Sequence, residues 1–214
     1  MILDVLLSLS KKVRWDTPNG VRGDTWTEER VQKTKLSGCQ YLIVAIESGV
    51  QSVLDNVVKK RLDLKKVDKL MKECKKINLR LYAFYVVGLP GETKEDIKGT
   101  MDYALDKFSK YNVLPTINKT STLPGTELYD IVHSNKFYDK ELSNEENTIV
   151  TDEFNPAIVD ELYNQFFLKL MGIILIKVFI EPRMVVTFLK LATSYRWFLS
   201  KMLSNIRRSI GSMT

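Results

Sequence analysis

Two hydrophobic periods alternate along the first 135 residues. Tyr41 to Ile46 and Leu79 to Val87 are continuous apolar runs of strand length, the pattern of strands buried on both faces. Between them Val50, Val53, Leu54, Val57 and Val58 fall at helical spacing, and a second helix opening near Asp63 carries Leu64, Val67, Leu70, Met71 and Cys74 on one face. Gly88-Leu89-Pro90-Gly91 breaks the second run. Thr93 with Asp96 predicts a reciprocal cap on the next helix, whose apolar stripe is Ile97, Met101, Ala104, Leu105 and Phe108. A further strand is predicted near Val113 to Asn118. Upstream, Thr25 with Glu28 reads as a capping box for a short helix carrying Val31 and Leu36, with Gly38 as its left-handed stop. Val13 to Asp16, before the turn residues Pro18-Asn19-Gly20, reads as a strand end, and Met1 to Ser10 as helix.

Strands alternating with helices imply an α/β fold with a parallel sheet, right-handed crossovers and helices over the outer face. A full barrel of eight such units takes roughly 250 residues. This chain supplies about four, which predicts a partial TIM-like barrel over residues 1–135. Residues 136–155 are polar and acidic and read as a linker or loop; residues 156–214 read as a helical C-terminal region. In that region a long helix runs from Pro156 to about Ile180, breaks at Pro182, and is followed by another to about Arg208.

Composition narrows the function classes. The 214 residues are 44% hydrophobic and 27% charged, ordinary globular usage. Two cysteines, Cys39 and Cys74, are too few for a disulfide framework, a cysteine-ligated cluster or a structural zinc site, and fit a reduced, cytoplasmic setting. The N-terminus lacks a cationic start and a small-residue cleavage site, so it does not read as a secretory signal. The formal charge of +6 is uneven: Arg183, Lys190, Arg196, Lys201, Arg207 and Arg208 lie in a terminal segment with no acid. Phe166 to Ile180 is apolar but interrupted by Lys169, Gly172 and Lys177, and is shorter than the roughly twenty residues of a membrane span, so it reads as an interface or core helix. The basic, aromatic helices after Pro182 either pack on the barrel or a second subunit, the favoured reading, or lie on an anionic membrane surface. Nucleic-acid binding is not expected, because the cations of the body alternate with acids along the same helices.

In parallel α/β folds reactive groups gather where loops leave the carboxyl ends of the strands. Glu47 ends an apolar strand and is either hydrogen-bonded within the crevice or available to ribose hydroxyls or an ammonium group. Ser48 and Gly49 open a helix whose free N–H groups suit a carboxylate, although a plain cap uses the same residues. Gly88, Pro90 and Gly91 let backbone approach a flat ligand, but a tight strand-to-helix turn needs them equally and is the favoured reading. Glu92 reads as a first-turn helix charge, Arg22 as either an anion grip or a surface arginine, and His133 carries no assigned chemistry. Cys39 and Cys74 read as small buried hydrophobes.

Pro-Asn-Gly-Val-Arg at 18–22, Gly-Cys at 38–39, Ile-Glu-Ser-Gly at 46–49, Gly-Leu-Pro-Gly-Glu-Thr at 88–93 and Pro-Gly-Thr-Glu-Leu at 124–128 together resemble the radical S-adenosylmethionine (SAM) superfamily, in its cobalamin-binding branch. The resemblance covers about residues 1–135 and implies a barrel with SAM over the strand ends. Glu47, Ser48 and Gly49 then meet the ribose and methionine part of SAM, Gly88, Pro90 and Gly91 line the adenine side, and Asn19 and Arg22 face SAM or substrate. Members carry a CxxxCxxC loop after the first strand, whose three thiolates hold a 4Fe-4S cluster that leaves one iron for SAM. That motif and the glycine-rich segment of the second strand are absent from this sequence. The resemblance therefore implies the C-terminal half of such a core, not active alone: either a truncated product, which the start at Met1 favours, or a module complementing a partner chain that carries the cluster and the cobalamin domain.

Overall fold

The structure is a computed structural model that describes residues 2–11, 13–137 and 149–180. The chain divides into two compact units, Met1–Phe166 and Phe167–Thr214. In the first unit four parallel strands, β1 (Trp15–Asp16), β2 (Cys39–Glu47), β3 (Arg80–Val87) and β4 (Leu114–Lys119), lie in the order β1-β2-β3-β4. Chain neighbours are sheet neighbours throughout. Right-handed crossovers that always step the same way leave the helices on one face, as along an arc of a (βα) barrel.

The helices follow from their own sequences. Helix α1 is Ile2–Ser8; α2 (Glu28–Leu36) precedes β2, α3 (Gln51–Asn56) and α4 (Leu64–Lys76) join β2 to β3, α5 (Lys94–Tyr111) joins β3 to β4, and α6 (Glu127–Ser134) follows β4. Asp63 caps α4, accepting from Lys65 N–H at 2.8 Å and Lys66 N–H at 3.4 Å. The predicted capping box on α5 is present: Thr93 Oγ1 accepts from Asp96 N–H at 3.1 Å and Asp96 Oδ2 from Thr93 N–H at 3.0 Å. The cap of α2 differs from expectation. Thr27, not Thr25, accepts from Arg30 N–H, because Gly23–Thr25 is already wound into a 3-10 turn; Leu36, expected on the apolar face, is exposed.

Strand alternation decides which face is the core. Leu42, Val44 and Ile46 of β2 and Leu81, Ala83, Tyr85 and Val87 of β3 are buried on the helix side. Gly23 lies so close to Val44 of β2 and to Val67 and Leu70 of α4 that a Cβ there would come within 2.7 Å of the Val44 side chain. On the opposite face Tyr41, Ala45, Tyr82, Phe84, Val86, Leu114 and Thr116 are half-buried, with Tyr41 and Tyr82 in edge contact at 5.4 Å. Residues 149–155, expected as loop, contribute the buried Ile149 and Phe154 to this unit.

Helix α7 (Pro156–Ile180) is the long helix the pattern predicts. Its 25 residues make it long and apolar enough to cross a membrane by length and composition, where the sequence estimate counted only Phe166 to Ile180. The predicted helix after Pro182 lies outside the described residues.

Candidate functional site

The carboxyl ends of β2, β3 and β4 lie side by side: Glu47 is level with Tyr85, and Val87 with Lys119. The residues named from the sequence fall into two groups at this edge.

The first group surrounds Glu47. The strand bulges at its end, and Glu47 itself takes φ +76°, a left-handed conformation that non-glycine residues adopt at a cost. Its carboxylate accepts from Lys60 Nζ at 2.8 Å, and Lys60 also donates to the Ala45 carbonyl at 2.8 Å. With 26% of its side chain exposed, Glu47 is reachable by a ligand. Lys60 reaches it because Lys59 and Arg61 are both left-handed, φ +55° and +50°, which curls the loop after α3 towards β2.

Arg22 holds that loop. Its guanidinium grips Asp24 through two bonds of 2.7 and 2.9 Å and donates to the carbonyls of Lys60 at 2.8 Å and Arg61 at 2.7 Å. Burial pushes the Asp24 carboxyl up, but Arg22 and the Asp63 N–H outweigh it and bring the pKa below its ordinary value. Arg22 and Glu47 therefore belong to one hydrogen-bonded string through Lys60. Asn19 is exposed in the turn before it, where Gly20, φ +78°, approaches Ala45 so closely that a Cβ would stand 3.1 Å from the Ala45 Cβ. Val21 continues the β1 edge by pairing with Val44.

Ser48 and Gly49 face inward. Ser48 Oγ lies 2.9 Å from Thr100 Oγ1 of α5, Gly49 N–H donates to Thr100 Oγ1 at 3.1 Å, and Val50 N–H donates to Ser48 Oγ at 3.1 Å. A Cβ on Gly49 would sit 2.5 Å from the Tyr103 Cβ, so the glycine is demanded by the approach of α5.

The second group is the Gly88–Glu92 turn. Gly88 and Gly91 take φ +86° and +98°, and the chain doubles back so that Glu92 points into its own turn. Glu92 Oε2 accepts from Gly88 N–H at 2.8 Å and Leu89 N–H at 2.7 Å. Helix α5 starts two residues later, and Glu92 is 1% exposed, which corrects its reading as a first-turn charge: it is a buried staple. Burial pushes its pKa up to about 7, against the two N–H bonds that favour the anion. Its Oε1 is buried and without a hydrogen-bond partner among the described residues. Above Gly88 the nearest group is the Phe154 ring, 3.8 Å from the position of a Cβ, while Pro90 sits half-buried in the turn. Sequence reasoning missed Lys60, Thr100 and Phe154. Only Phe154 carried a signal, as an aromatic in a polar stretch.

The cysteines do not fit a cluster. Cys39 opens β2 at the end opposite Glu47, Cys74 lies inside α4, and both are buried as expected of small hydrophobes. Burial pushes their thiols up to about 11 and about 12, away from the thiolate that iron requires. Among the described residues no three His, Cys, Asp or Glu side chains gather as a metal site. The Glu47 carboxylate, partly exposed at the end of β2, offers an acceptor to the hydroxyls or ammonium group of a ligand.

No protein-family model matches the sequence. The chain is 33% identical over 96 residues, 42% of its length and 18% of the relative's, to cytidylyl-2-hydroxyethylphosphonate methyltransferase of Streptomyces wedmorensis. It is 24% identical over 139 residues, 62% of its length and 28% of the relative's, to an uncharacterized methyltransferase of Pyrococcus horikoshii. Among solved structures it is similar to the radical S-adenosylmethionine methyltransferase TsrM of Kitasatospora setae, described with cobalamin and a [4Fe-4S] cluster bound, with TM-score 0.46, 13% identity, and coverage of 70% of this chain and 34% of that one. The chain thus has methyltransferase homologues, and it spans less than a third of the length of either curated relative.

Proposed function

We propose that this chain forms the SAM-facing part of a radical SAM methyltransferase core, with the cluster-binding segment and the cobalamin domain supplied from outside this sequence, on a longer polypeptide or on a partner chain. One observation carries the reading: Ile46-Glu47-Ser48-Gly49 and Gly88-Leu89-Pro90-Gly91-Glu92-Thr93, two motifs of the family resemblance, stand at the carboxyl ends of neighbouring parallel strands in a chain with methyltransferase homologues.

SAM bound there would supply the methyl group. Glu47, held by Lys60 with part of its carboxylate exposed, accepts from ribose hydroxyls or the methionine ammonium. The Gly88–Gly91 turn, which packs near the Phe154 ring, would border the adenine side. Ser48 and Gly49 act at one remove, since their polar groups bond Thr100 and thereby fix where β2 ends; Arg22 likewise acts through the loop that delivers Lys60. Asn19, exposed in its turn, is free to face substrate. Two buried free thiols accord with a reducing, cytoplasmic setting.

The test is SAM binding by the purified chain, read by isothermal titration, together with 5′-deoxyadenosine release after anaerobic iron–sulfur reconstitution. The reading expects saturable SAM binding that Glu47→Gln weakens about tenfold, and no deoxyadenosine. Absence of saturable binding, or SAM cleavage by the chain alone, overturns it.

A further inference from the structure

The outer faces of the helices on the sheet differ in charge. On α5 cations and acids alternate and pair, Lys98 with Asp102 at 2.5 Å and Lys110 with Asp106 at 2.9 Å, and on α2 Lys33 pairs with Glu29 at 3.0 Å. Helix α4 departs from this pattern. Residues 59–80 hold ten Lys and Arg against three acids, a net +7 where the whole chain has +6. Lys65, Lys69, Lys72 and Lys76 follow one another at steps of four, three and four residues, so they stand in one row roughly 16 Å long on α4, and all four are exposed. The acids beside the row are already engaged: Asp68 by Lys107 at 2.5 Å and by the Tyr111 hydroxyl at 3.1 Å, Glu73 by Lys76 at 2.6 Å. Lys65, Lys69 and Lys72 have no carboxylate partner among the described residues.

Stability of the helix does not account for the row. Like charges four residues apart, Lys65 with Lys69 and Lys72 with Lys76, repel each other. The first turn of α4 holds no acid, and Lys65 and Lys66 stand there against the positive end of the helix dipole.

We propose that the α4 row docks the phosphate backbone of a nucleic-acid duplex, without reading its sequence. Charge complementarity to a linear polyanion selects the occupant. Protein interfaces have an apolar centre and are depleted in Lys, and among the described residues none of the exposed large apolar side chains lies on α4. A membrane plane would also meet acids of the neighbouring helices, Glu29 and Asp102, 76% and 43% exposed, whereas a strand of phosphates meets the row alone. Helix α4 carries no aromatic ring on which an unpaired base could stack, which favours a duplex over a single strand. Lysines are point charges without the forked geometry that reads base edges, so the contact is to phosphate.

The test is fluorescence anisotropy of a labelled duplex of about 20 base pairs titrated with the full chain across a salt series. The expected result is binding whose log affinity falls linearly with log salt. In the triple variant Lys65→Gln, Lys69→Gln, Lys72→Gln the slope should be shallower by about 2.7, since each phosphate contact contributes about 0.9, and the affinity at low salt at least about tenfold lower. The variant relieves like-charge repulsion, so its circular dichroism should match the parent's. An unchanged slope in the variant, which would put the contact on cations elsewhere in the chain, overturns the proposal. So does the absence of duplex binding, displacement of the duplex by polyglutamate of equal charge, or partition to anionic vesicles that the same variant abolishes.

Discussion

The turn after β2 at Ser48-Gly49 and the turn after β3 at Gly88 to Glu92 leave adjacent strands and each feeds a helix, yet their polar groups are satisfied by different chemistry. At the first, neutral hydroxyls of Ser48 and Thr100 take up the free backbone N–H groups, and the geometry is locked because α5 touches the glycine. At the second a carboxylate does the same work for Gly88 and Leu89 from inside the protein, where burial opposes its charge. A hydroxyl costs the same at every pH; a buried acid does not. The β3 turn is therefore the one whose stability is tied to proton concentration.

The comparison is broken most severely at Gly49. Gly49→Ala places a methyl against Tyr103 and the Thr100 backbone, and should cost about 3 kcal/mol, lowering the thermal midpoint by roughly 9 °C in calorimetry. The same change at Gly88 meets only the Phe154 ring at van der Waals distance, and its cost is confined to the left-handed φ.

Next comes Glu92. Its folded pKa of about 7 stands above the ordinary 4.5, so the folded state holds this proton more tightly. The stability it contributes is full below pH 4.5 and is lost as pH rises through 7. Glu92→Gln keeps an acceptor for the two N–H groups without a charge. Its stability relative to the parent should rise by up to roughly 3 kcal/mol between acidic and mildly alkaline buffer, read from urea unfolding across pH. A difference flat with pH would mean that the carboxyl is not the titrating group.

A smaller effect falls on Thr100→Val, which keeps shape but leaves the Gly49 N–H without its acceptor and the Ser48 hydroxyl without its partner. About 1.5 kcal/mol, independent of pH, is expected in the same urea titration. Smallest is Glu47→Gln, at about 0.5 kcal/mol, because the Lys60 pair is partly solvated. This variant separates stability from function: it should barely move the unfolding midpoint while weakening SAM binding.

The order of strands and helices was legible because it depends on local signals. Apolar runs fixed β2 and β3 to within two residues, Thr93 with Asp96 announced the start of α5, and Asp63 that of α4. Local signals also erred locally: Thr25 and Thr27 both precede an acidic first turn, and only the 3-10 turn at Gly23 to Thr25 decides between them.

By itself the sequence determined the parallel α/β alternation, the strand-end positions of Glu47 and Gly88, and the absence of a CxxxCxxC motif, since each depends on residue type and spacing along the chain. Tertiary structure alone decided what those residues touch. Glu92 looks like any first-turn acid until two positive-φ glycines turn it inward, and Lys60 looks like one more surface cation until a left-handed loop held by Arg22 lays it on Glu47. Contacts such as Glu47 with Lys60, 13 residues apart, and Ser48 with Thr100, 52 apart, arise from how elements close on one another in space, and hydropathy along the chain carries no record of that approach.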